Sequence, residues 1–132
     1  MKQVMRKFGV VGLVLLCSVA FADMSLKLGT SFPGWDKLPT RGSLYNSAED
    51  LIKSYARQVG HSCYSPELFV RDRSISISTA LIFYEGYLPY GSRESVLLDN
   101  YDQRVSMVRR SYGSDALVVL IKGNDGIYMI IC

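Results

Sequence analysis

The chain has 132 residues, 48% hydrophobic and 20% charged, and its formal charge of +3 comes entirely from its first 22 residues. Three of the fifteen Lys and Arg (Lys2, Arg6 and Lys7) lie there, while all twelve Asp and Glu follow, so residues 23–132 balance at zero. That balance argues against a basic nucleic-acid or membrane-binding surface, and nine tyrosines among interspersed charges argue against disorder.

The first 22 residues read as a bacterial export signal. A charged head of Lys2, Arg6 and Lys7 precedes the apolar stretch Phe8–Leu16, and Ala20-Phe21-Ala22 forms a small-x-small cleavage site before Asp23. The apolar stretch falls short of the ~20 residues a membrane span needs. Leu16 before Cys17 is larger than a lipid-attachment signal calls for. Cleavage after Ala22 predicts a periplasmic or secreted product of residues 23–132, a single domain without a membrane span. Its two cysteines, Cys63 and Cys132, then have one intramolecular pairing open to them in an oxidising compartment. A bridge closing that loop contributes roughly 4 kcal/mol in the chain-entropy model.

After a short strand at residues 24–28, the Gly, Pro, Ser and Thr density of Leu28–Ser43 predicts a long irregular segment. Its Phe32 and Trp35 serve either a functional loop or a plug in the core. A helix is expected from Ser47, with Asp50 completing a capping box, Leu51, Ile52, Tyr55 and Val59 on one face, and Gly60 as its stop. Leu68-Phe69-Val70 and Val96-Leu97-Leu98 read as short strands. The alternation of residues 74–78 leads into Thr79–Tyr84, which periodicity leaves open between strand and helix and which is read here as strand. A second helix is expected from Asp99 or Asn100, because Tyr101, Val105, Val108 and Tyr112 repeat at helical spacing before Gly113; Arg104, Arg109 and Arg110 lie off that stripe, a solvated face first and a binding patch second. Two apolar runs, 117–121 and 127–131, flank Lys122–Gly126 as a C-terminal hairpin, covered on both sides. The fold class is therefore α+β: one small domain with a mainly antiparallel sheet, two helices and that hairpin.

No catalytic constellation emerges. The single histidine, His61, stands two residues from Cys63, a spacing poor for a nucleophile and its base and two ligands short of structural zinc. Neither a metal nor a cofactor is expected. Glu67, Glu85, Glu94, Asp99 and Asp102 are the carboxylates available for glycan cleavage, Glu85 foremost because Tyr84 and Gly86 flank it. The segment 84–93 instead carries Tyr84, Tyr87 and Tyr90 among Gly, Pro and Ser, the composition of protein-contact loops. These three, with Trp35, are the expected binding residues. The function expected is an exported binding protein of the cell envelope whose partner is another protein, for instance an inhibitor or immunity protein against a secreted hydrolase. The alternatives are a small wall- or glycan-cleaving enzyme, against which the residues lean, and an assembly component of an envelope complex.

Overall fold

A computed structural model describes residues 23–71 and 75–132; the expected export signal lies outside them. Eight strands and two helices follow in chain order among the described residues: β1 (Met24–Ser25), β2 (Thr30–Ser31), β3 (Asp36–Lys37), α1 (Ser43–Val59), β4 (Glu67–Arg71), α2 (Ile77–Glu85), β5 (Arg93–Asp99), β6 (Gln103–Arg109), β7 (Ala116–Lys122) and β8 (Ile127–Ile131). Six strands form one antiparallel sheet in the order β3-β4-β8-β7-β6-β5, and β1 pairs with β2. The α+β fold and the C-terminal hairpin of the sequence reading are both present. No described helix is long and apolar enough to cross a membrane.

Each face of the sheet is covered over its central strands, while the edge strand β5 stays largely exposed. Val118, Leu120, Ile127, Met129 and Ile131 point to the α2 side, where Ile77, Ala80, Tyr84, Leu28, Phe32 and Trp35 meet them. Leu117, Val119 and Ile130 point to the α1 side, against Tyr45, Ala48, Ile52 and Ala56. Two-sided burial explains why β7 and β8 are nearly continuous apolar runs: every position has a core to enter.

Helix α1 begins four residues before the expected Ser47. Tyr45 sets the earlier start, because its buried ring opens the stripe Tyr45, Ala48, Ile52, Ala56 and its hydroxyl donates to Pro66 O at 2.9 Å. The end is where the sequence put it, with Gly60 left-handed at φ 69° and the His61 amide bonded to Ala56 O at 2.9 Å.

Two expectations are corrected. Residues 79–84 belong to helix α2, not to a strand: Ser76 ends the Ser/Ile alternation by capping the helix, its Oγ accepting from Thr79 N at 3.1 Å. The segment expected as a second helix is strand β6. Val105 and Val108 are both fully buried but in the two opposite cores, so their spacing of three was an accident of two-sided burial. Asn100 uses the chemistry of a helix cap to close the β5–β6 turn instead, its Oδ1 accepting from the amides of Asp102 and Gln103, both at 2.9 Å.

Candidate interaction surface

Several loops converge at the end of the sheet where β6 and β8 finish and β4, β5 and β7 start. Cys63, in the α1–β4 loop, is disulfide-bonded to Cys132 just past β8, with their Cα atoms 5.4 Å apart. His61 adds a second tie: its Nε2 donates to the Cys132 carbonyl at 2.9 Å, and Leu117 N donates to the same oxygen at 2.7 Å. Glu67, buried at the start of β4, accepts from Ser25 Oγ at 2.6 Å, Leu26 N at 2.9 Å and Lys37 Nζ at 2.8 Å, and so fastens the β1–β2 turn here. That carboxylate, a catalytic candidate in the sequence, is fully engaged in holding the fold together.

These loops enclose a cleft of about 570 Å³, lined among others by Leu26, Lys27, His61, Tyr64, Arg110 and Asp115. Lys27 Nζ donates to Tyr64 O at 2.8 Å and Arg110 Nε to Ser114 O at 3.0 Å, so both cations are held in place by backbone carbonyls. Around this end Tyr64 (77%), Tyr90 (101%) and Tyr112 (90%) are exposed, with Tyr87 half-exposed. Thr30 Oγ1 donates to Tyr87 O at 2.8 Å, tying the α2–β5 loop to β2. Arg93 and Arg109, both on the surface, are direct cross-strand neighbours.

Of the four aromatic residues expected to bind, the structure puts two on this surface and two in the core. Tyr87 and Tyr90 are in the α2–β5 loop and reach solvent. Trp35 and Tyr84 are 1% and 0% exposed. The Trp35 indole donates to Phe83 O at 3.0 Å, and the Tyr84 ring stacks on Phe32 at 6.0 Å. Neither presents a ring to a partner, because α2 turns Tyr84 inward with Ala80 and Ile77, and the 28–35 segment is the plug of the α2-side core.

Tyr64 and Tyr112 were missed, Tyr112 because it was assigned to a helix stripe, whereas Arg109 and Arg110 read as a solvated face first and a binding patch second. One sequence signal does point to Tyr112: Tyr-Gly-Ser occurs twice, at 90–92 and 112–114, and both glycines take positive φ, 81° at Gly91 and 92° at Gly113. Both tripeptides turn the chain at this end of the sheet, and each leaves its tyrosine exposed.

The remaining carboxylate candidates meet elsewhere, around Arg104 on the α2 side. Arg104 is hydrogen-bonded to Glu94 through its Nη2, which is 3.8 Å from Glu85; its Nε is 4.0 Å from Asp99. Ser106 Oγ donates to Glu94 at 3.2 Å. Burial works against the Arg104 charge, but the hydrogen bond and charge of Glu94, with Glu85 adding, outweigh it and hold the guanidinium above its ordinary range. The carboxylates thus surround one cation, which pairs with Glu94 and lies farther from the exposed Glu85 and Asp99, and Glu94 has both oxygens committed. Asp102 sits apart, in the β5–β6 turn.

No family model, curated protein or solved structure matches the chain.

Proposed function

We propose that this chain is an exported binding protein of the cell envelope that engages another protein through the disulfide-held loop end of its sheet, as an inhibitor or immunity protein of a secreted hydrolase would. The observation that carries this reading is the collection of exposed tyrosines on loops, with arginines at the adjoining strand ends, at the end of the sheet that the disulfide ties down. Tyrosine and arginine supply much of the binding energy in protein interfaces, and pre-set loops lose less entropy on binding. The disulfide and the lack of a membrane-spanning helix among the described residues are compatible with a protein outside the cytoplasm.

The test is site-specific photo-crosslinking in cells. A photoreactive phenylalanine derivative at position 90 or 112 is expected to trap one defined protein adduct. The same derivative at Tyr101, which is exposed in the β5–β6 turn at the opposite end, is expected to trap none. Equal adducts from position 101, or none from 90 and 112, overturn the reading. Where the trapped protein is a hydrolase, its inhibition by an equimolar amount of this chain identifies the inhibitor form.

A further inference from the structure

We propose that the cleft at the loop end receives an acidic segment of the partner protein, a stretch of Asp and Glu side chains; this rests on the function proposed above. Charge is the first argument. Lys27 and Arg110 line the cleft, the acid among its lining residues, Asp115, is already paired with Arg109 at 3.8 Å, and Arg93 stands on the adjoining strand end. At the opposite end the exposed Asp99, Asp102 and Asp125 collect around the β5–β6 and β7–β8 turns, with Lys122 among them. The cations of the cleft and the exposed acids of the far turns thus stand at opposite ends of the sheet, a placement that favours approach of an anionic surface to the cleft.

The second argument is an arrangement that folding alone disfavours. Arg93 and Arg109 are directly opposed across β5 and β6, and like charges so placed repel. Asp115 relieves this from the Arg109 side, while Arg93, which has no carboxylate partner among the described residues, keeps its planar fork for a further one.

Third, Arg110 is positioned rather than left to wander. A Cβ at Gly113 would stand 2.6 Å from its Nη2 and 3.1 Å from its Cζ, so the guanidinium lies close against that bare glycine. With Nε bonded to Ser114 O, its terminal N–H groups remain to receive a carboxylate. The Cys132 carbonyl in the cleft already accepts from His61 and Leu117 and does not compete for them.

The probe is a blocked synthetic peptide of alternating Asp and Glu, titrated into isotope-labelled protein and followed by amide chemical shifts. A peptide of alternating Asn and Gln is the control. Shifts are expected at residues 26–29, 60–64 and 109–116, with affinity falling as salt rises. Arg110→Glu and Lys27→Glu should each weaken binding by about tenfold or more while leaving distant amide shifts unchanged. The proposal is overturned by equal binding of the Asn/Gln peptide, by shifts centred on Lys53 and Arg57 of α1, or by inorganic phosphate reproducing the effect at the same concentration. Crosslinking from positions 90 and 112 without acidic-peptide binding would sink this inference and leave the proposed function standing; failure of the crosslinks would remove both.

Discussion

Arg104 is placed where a charge is expensive, 6% exposed under α2, and it is tolerable there because Glu94 shares its burial. Removing one member leaves the other charged and unpaired. Arg104→Met is expected to cost about 3–5 kcal/mol in urea unfolding, whereas the double change Arg104→Met with Glu94→Leu should recover most of that loss. If the double variant is as unstable as the single one, the pair is not what keeps these groups in place. Tyr84, the core neighbour of this pair, has its phenol pushed well above its ordinary range by burial first and by the Glu94 charge second. An unfolded tyrosine loses its proton near pH 10, while the folded chain still holds it. The native state then binds one more proton, so this contribution is complete below about pH 10 and is lost as pH rises toward the native value, at about 1.4 kcal/mol per pH unit. Urea midpoints measured from pH 8.5 to 11 should fall less steeply in Tyr84→Phe, the remaining slope including Tyr45, which burial shifts in the same direction.

At the scale of elements, helix α2 is the segment whose type was hardest to read, and its cap is what a mutation can test. Ser76→Ala removes the acceptor for Thr79 N and is expected to cost about 1 kcal/mol, whereas Ser78→Ala, on the exposed side of the first turn, should cost little. Equal effects would mean that Ser76 is not acting as a cap. The parts legible in the sequence were those with a local mark that agrees with burial: Gly60 ending α1, the Gly- and Asx-rich reversal between β7 and β8, and two cysteines with one partner each. The parts that misled were those where both faces of the sheet are covered. There β6 buries Val105 and Val108 in different cores, and a spacing of three mimics a helix. Asn100 deepened the error, because an Asx side chain bonding two following amides looks the same ahead of a helix and inside a hairpin turn. For the candidate site, composition picked out Tyr87 and Tyr90, which the structure leaves exposed in the α2–β5 loop, but could not see that Tyr84 belongs to the preceding helix and points inward. The cleft itself joins residues from 26 to 132, and a surface assembled over that separation has no local pattern.

At the scale of the molecule, rigidity and display are divided between the two cores and one end. Trp35, Phe32 and Tyr84 spend their aromatic area on the α2-side core, while Tyr90 and Tyr112 contribute none of theirs to folding. The disulfide ties down the α1–β4 loop, Thr30 Oγ1 holds the α2–β5 loop at Tyr87 O, and Arg110 holds the β6–β7 loop at Ser114 O, so the loops that expose these rings are tethered on the proposed contact surface. This division makes stability and binding separable. Tyr84→Ala should lower stability by about 3–5 kcal/mol, the range for a buried large aromatic. Tyr90→Ala and Tyr112→Ala should leave the urea midpoint within experimental error of the parent. Against the protein trapped by crosslinking, however, each should lose about 2 kcal/mol of affinity if its ring is an anchor of the interface. Calorimetric titration with that protein decides the matter: full affinity in the Tyr90→Ala, Tyr112→Ala double variant would move the contact off this end of the sheet, whatever the crosslinks had trapped.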